Sequence, residues 1–300
     1  MRPVLLLLAA VLALPAVVRA EGPLVLQSDF GTRDGAVAAM KGVAASVSTD
    51  VAIHDLTHEI PPYDIWEGAL RLAQAAPYWP RGTVFVSVVD PGVGTDRKSI
   101  VMRSKSGHYF VTPDNGTLTF VAKELGIDAV REIDEAVNRR AGSEQSYTFH
   151  GRDVYAYTGA RLAAGVITFE EVGRSLPARV VTIPHQEAAW EDGVLRGHIP
   201  LLDVRYGNVW TNIDRETFAR LGLAVGERAR VVIRHEGKPV YTGSVPYHPT
   251  FGSVAQGEPL LYLNSLGNVS LAINQGSFAE EHGIGSGAGW TIEIRSDDEH

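Results

Sequence analysis

From residue 24 to residue 164 the chain alternates short apolar runs with segments of helical spacing, and this alternation limits the fold more than any other feature. Residues 24–28 are apolar and end at Asp29, and residues 34–48 then space Val37, Met40 and Ala44 along one helical face. Residues 51–56 read as a second strand and 63–76 as a second helix. Residues 83–89, apolar and β-branched, read as a strand buried on both faces. This order predicts an α/β fold with a mostly parallel sheet flanked by helices. A hairpin is expected over 98–103 and 108–112, turning at Lys105-Ser-Gly107, with further helices near 116–124 and 152–164.

The pattern then changes. From about Gly193 the segments are short and strand-like (194–199, 229–233, 260–263, 290–294), which predicts a smaller antiparallel β unit. The expected organisation is a leader over 1–20, an α/β catalytic domain over 21–184, a linker over 185–192 and a β-rich substrate-binding domain over 193–300. Arg2, the apolar run after it and the small residue Ala20 before Glu21 have the form of a secretory signal peptide. The run is shorter than the roughly 20 residues a bilayer core requires, so cleavage after Ala20 and an exported, periplasmic or secreted protein without a membrane anchor are expected.

Removing Arg2 and Arg19 leaves 25 basic against 35 acidic residues, a formal charge of −10. Without a clustered basic patch, nucleic acid is not an expected partner. The chain has no cysteine, which excludes disulfides, thiolate metal sites and a cysteine nucleophile. His54 and His58 lie where a strand should end, not on one helix face, so no metal site is expected.

Three polar clusters fall where chemistry is plausible. Asp29 and Asp90 follow strands, where ligands of open α/β sheets collect, although an isolated aspartate often only caps the next turn. Asp90-Pro-Gly-Val-Gly-Thr-Asp-Arg97 joins a carboxylate, a glycine loop and a guanidinium, but lacks the ending of a phosphate loop. Phe149-His-Gly-Arg-Asp153 supplies a histidine before a helix, suited to acid, base or orienting work.

These clusters, with Ser28-Asp-Phe-Gly-Thr-Arg-Asp34, Pro113-Asp-Asn-Gly116, Tyr206-Gly-Asn-Val-Trp-Thr-Asn212 and Tyr262-Leu-Asn-Ser265, resemble the S-adenosyl-L-methionine (SAM) hydrolases, or SAM hydroxide adenosyltransferases, relatives of fluorinase and chlorinase. The resemblance implies hydrolysis of SAM to adenosine and L-methionine by activated water attacking ribose C5′, with no cofactor besides the substrate. It assigns Asp90, Arg97 and His150 to catalysis. Asp29 is matched to the ribose hydroxyls, Tyr63 and Tyr206 to the nucleoside faces, Asn208 to adenine, Asp203 to the methionine ammonium and Ser265 to its carboxylate. Leu266 stands where the halogenases place arginine. Tyrosine at position 90 and, in fluorinase, serine at position 151 would mark a halogenase; Asp90 and Gly151 point to the hydrolase. The resemblance also implies a homotrimer with sites between subunits. The alternatives are an exported SAM- or nucleoside-binding protein without turnover, and a SAM-dependent halogenase.

Overall fold

A computed structural model describes residues 22–297; the expected leader lies outside the described residues. The first part of the chain builds one seven-stranded sheet from β1 (Leu24–Ser28), β2 (Ile53–Thr57), β3 (Val84–Val88), β4 (Ser99–Ser104), β5 (Tyr109–Pro113), β6 (Ile127–Glu132) and β7 (Ser175–Leu176), in the order β2-β1-β3-β5-β4-β6-β7. The pairs β1/β2, β1/β3 and β3/β5 are parallel. The expected hairpin is β4/β5, and because β6 and β7 also pair antiparallel, only β4 and β7 run against the others. The α/β architecture read from the sequence is the one observed.

Side chains alternate along β1 and β3 and bury both faces, as strands of a covered parallel sheet must. Leu24, Leu26, Val84 and Val86 pack on one side with Met40 and Ala44 of α1 (Ala36–Val47) and Ala160 and Leu162 of α4 (Tyr157–Ala163). Val25 and Phe85 point the other way, to Leu72 of α2 (Ile65–Ala75) and Val121 of α3 (Thr119–Leu125). The Asp64 carboxylate accepts the Glu67 N–H at 2.9 Å and so fixes where α2 begins. Gly159 lets α4 approach the sheet, since a Cβ there would collide with Val86.

The remainder of the chain is β-rich. Strands β8 (Ala189–Glu191), β9 (Val194–His198), β12 (Arg228–His235), β13 (Lys238–Pro246) and β16 (Trp290–Ser296) form one antiparallel sheet. A second antiparallel sheet contains β10 (Leu201–Leu202), β11 (Val209–Asp214), β14 (Pro259–Leu263) and β15 (Asn268–Ile273). Leu195, Val231, Ile233 and Ile294 of the first meet Val209, Ile213, Leu261 and Leu271 of the second in a shared core. Among the described residues no helix is long and apolar enough to cross a membrane.

Candidate active site

β1 and β3 are parallel neighbours with Ser28 opposite Val88, so Asp29 and Asp90 leave the same edge of the sheet from adjacent strands. Asn115 steadies the exit from β3 by donating its amide N–H to the Val89 carbonyl at 2.8 Å. The chain then doubles back: Val93 N–H donates to the Asp90 carbonyl and Thr95 N–H to the Gly92 carbonyl. Gly94 takes the left-handed φ of 78° that the reversal requires.

This return lays Arg97 on Asp90. Its Nε donates to Oδ1 at 3.0 Å and Nη2 to Oδ2 at 2.7 Å, a two-pronged pair in which the carboxylate side chain is only 5% exposed. Nη2 also donates to Nδ1 of His150 at 2.9 Å. Nη1 donates to the Ser99 hydroxyl at 3.2 Å, and that oxygen lies 3.1 Å from the Tyr155 hydroxyl. His150 opens a π-helical turn, Gly151–Ala156, that runs on into α4. Such turns recur where a helix must aim a functional group.

Electrostatics follow from this packing. Burial pushes the His150 pKa down, and the neighbouring Arg97 and Arg139 add to that against the pull of Glu135 and Asp90, so the ring is neutral near pH 7. A guanidinium can only donate, so Nδ1 is the acceptor and Nε2 carries the proton. Nε2 is buried without a hydrogen-bond partner. Burial opposes the charge on Arg97, but the Asp90 hydrogen bonds and the nearby Tyr155, Asp90 and Glu135 together outweigh it and hold the guanidinium above its ordinary range.

Asp29, Tyr63, Asp90 and His150 line one pocket of about 280 Å³ with Phe30 and Val93. Asp29 Oδ2 accepts the backbone N–H of Tyr63 at 2.9 Å, which leaves Oδ1 and a second lone pair of Oδ2 for a ligand. Tyr63 is 72% exposed and sits at a left-handed φ of 69°, costly for a residue with a Cβ. A Cβ on Gly151 would come within 3.0 Å of the Phe30 ring.

Residues 24–173 match the model of the SAM hydroxide adenosyltransferase N-terminal domain, and residues 197–291 that of the C-terminal domain. The chain belongs to this family. An (R)-S-adenosyl-L-methionine hydrolase of Salinispora tropica is 38% identical over 261 residues, covering 87% of this chain and 93% of that relative. A fluorinase of Actinopolyspora mzabensis is 30% identical over 285 residues, again covering 87% and 93%. A crystal structure of an uncharacterized conserved protein from Thermotoga maritima superimposes with a TM-score of 0.84 at 33% identity, covering 91% of this chain and 99% of that one. The family thus includes both SAM hydrolases and fluorinases, and supports a SAM-utilising enzyme here.

The remaining residues matched to this family do not join that pocket within the chain. Tyr206 and Asn208 line a separate pocket of about 550 Å³ with Arg205, Phe251 and Gln275. Asp203 turns its carboxylate to its own loop, accepting from the N–H groups of Arg205 and Tyr206 and from the Asn208 amide at 3.2 to 3.3 Å. Ser265 and Leu266 border a groove of about 510 Å³ that also touches Phe120 and His198. Sequence reasoning missed Ser99 and Tyr155. The one available signal, a tyrosine one helical turn after His150, is too common to single out.

Proposed function

We propose that this protein hydrolyses S-adenosyl-L-methionine to adenosine and L-methionine. The observation that carries the reading is the buried Asp90 carboxylate at the pocket, clamped by Arg97 with His150 behind it. Methionine leaves a sulfonium as a neutral thioether and needs no proton, so the protein has to supply an aligned nucleophile and a positioned ribose C5′. Asp90 Oδ1 accepts from Arg97 along one direction and retains a second lone pair with which to orient water and take its proton. Arg97 stabilises the hydroxide as it forms. His150 cannot use Nδ1 as a base while Arg97 donates to it; by accepting from Nη2 it holds the guanidinium on Asp90, and its Nε2–H is left without a partner.

Asp29 takes the ribose hydroxyls and Tyr63 one nucleoside face. The pocket of about 280 Å³ is at the small end of ligand sites, which run from roughly 300 Å³ upward, and lacks Asp203, Tyr206, Asn208 and Ser265. We propose that a neighbouring copy in a homotrimer contributes those residues. Leader cleavage after Ala20 would place the enzyme in the periplasm or outside the cell, which N-terminal sequencing of exported protein checks.

The test is to incubate mature protein and its Asp90→Ala variant with SAM and follow adenosine and methionine by chromatography. Turnover by wild type and loss in the variant support hydrolysis. Tight binding without turnover would make the protein a binder. Chloride-dependent appearance of chlorodeoxyadenosine would make it a halogenase, a reading that the carboxylate at position 90 opposes by charge. The crowding of Gly151 by Phe30 also disfavours a serine-built halide pocket there, so Gly151→Ser is expected to lower stability by about 1–3 kcal/mol without gaining halide chemistry.

A further inference from the structure

A second chain of polar side chains runs from the surface to the end of β1. Lys41 Nζ donates to Asp55 Oδ2 at 2.6 Å, and Asp55 Oδ1 lies 3.0 Å from His58 Nε2. His58 Nδ1 is 2.7 Å from the Ser28 hydroxyl, whose oxygen accepts the Phe30 N–H at 3.3 Å. Burial works to raise the Asp55 pKa, but Lys41 and His58 prevail and keep it below the ordinary range. An ionised carboxylate only accepts, so Nε2 carries a proton, and in the neutral ring Nδ1 then accepts from the Ser28 hydroxyl.

The connectivity is that of a hydrolytic Ser-His-Asp triad. Burial decides against that use: Ser28 is 0% exposed, His58 is almost as enclosed, and neither lines the pocket. What the chain does is tie two loops together. His58 also accepts the Gly31 N–H on its backbone carbonyl at 2.7 Å, so residues 28–31 and 58–63 are joined by side chain and main chain at once. These two loops carry Asp29 and Tyr63, the acceptor and donor of the hydrogen bond that aims the Asp29 carboxylate. Tyr63 holds a left-handed backbone that costs free energy, so its surroundings must impose it.

We propose that the Lys41–Asp55–His58–Ser28 chain is a positioning device for the nucleoside end of the site, setting Asp29 to receive both ribose hydroxyls. The inference rests on the reading of this pocket as the SAM site. Binding of adenosine and of 2′,3′-dideoxyadenosine is measured by calorimetry on the mature protein and on Ser28→Ala, His58→Phe, Asp55→Asn and Asp29→Ala. Wild type should prefer adenosine and Asp29→Ala should lose the preference. The three network variants should each reduce it, Ser28→Ala and His58→Phe by about tenfold. Ser28→Ala should add nothing in the Asp29→Ala background, because both act through one group. In SAM hydrolysis the network variants should raise KM more than they lower kcat.

A folded Ser28→Ala or Asp55→Asn that keeps the full preference overturns the proposal, as does equal weakening for both nucleosides, the mark of a merely structural role. Should His58→Phe fail to fold, those two variants decide the matter, since one removes a single oxygen and the other alters a residue 42% exposed at its side chain. A wild type that does not distinguish the nucleosides overturns the ribose reading itself, and the proposal with it.

Discussion

The two regions matched to substrate and catalysis differ in how far the chain completes them. Around Asp90, groups from the return loop after β3, from β4 and from the turn before α4 hydrogen-bond to one another: Asp90, Arg97, His150, Ser99 and Tyr155 form one connected set. In the β-rich part, Asp203 spends its carboxylate on its own loop and Tyr206 stands 65% exposed. On the proposed reading, geometry needed at the moment of reaction is thus built into the fold, at the cost of burying charges that must stay paired. Groups that would only hold substrate are left with free surface.

The largest expected effect breaks the connected side. Arg97→Lys keeps the charge but cannot span both Asp90 oxygens, Ser99 and His150 together. It is expected to lower kcat by about 10²–10³-fold with little change in KM, read from initial rates of adenosine formation. A loss below fivefold would mean that the clamp is structural and that charge alone suffices.

The open side is sharpened by complementation. If the proposed trimer builds each site from two copies, Asp90→Ala and Asn208→Ala are each nearly inactive, while co-refolding equal amounts should restore about a quarter of wild-type activity, the fraction of interfaces that pair two intact halves. No recovery in a verified mixed oligomer would place both halves of the site in one chain.

A smaller effect distinguishes the regions by pH. The His150 pKa is held below its ordinary value near 6.5 by burial first and then by Arg97 and Arg139. The unfolded chain therefore binds this proton at a higher pH than the folded one. Stability contributed by the neutral ring is fully present above about pH 6.5 and declines as pH falls from there through the lower folded pKa. Urea titrations at pH 7.5 and 5.5 should show a larger loss for wild type than for His150→Gln, which has no proton to gain. Equal losses would assign the acid sensitivity to other groups.

What could be read in advance follows the same division between local and distant causes. β1 and β3 were legible because each buries both faces, whereas β2, at the sheet edge, is partly exposed; Asp90, Arg97 and His150, which the fold brings together, sit in compact motifs. The closing strands β6 and β7 were not read, since neither carries a strong apolar run and their pairing depends on β4. Ser99–Tyr155 and Ser28–His58 escaped because they join residues 56 and 30 positions apart, with nothing local to mark either member. The left-handed Tyr63 was hidden for a similar reason: its backbone is imposed by Asp29 and the loops around it. Tyr206 and Asn208 were named by motif, yet no motif says whether they meet the Asp90 pocket of their own chain or, in the proposed trimer, that of another.

The smallest expected effect therefore bears on that last point. Tyr206 is largely exposed on a loop whose turn is already closed by Asp203, so its ring contributes little to folding within the chain. Tyr206→Ala should change the stability of the chain, measured under dissociating conditions, by no more than about 0.5 kcal/mol. The same substitution should weaken adenosine binding by roughly tenfold in the assembled protein, since stacking on an exposed ring is gained only when ligand arrives. A stability loss above about 1.5 kcal/mol would show that the ring already packs against its own chain. In that case the β-rich half is as finished as the Asp90 half, and the contrast between them would have to be drawn from charge burial alone.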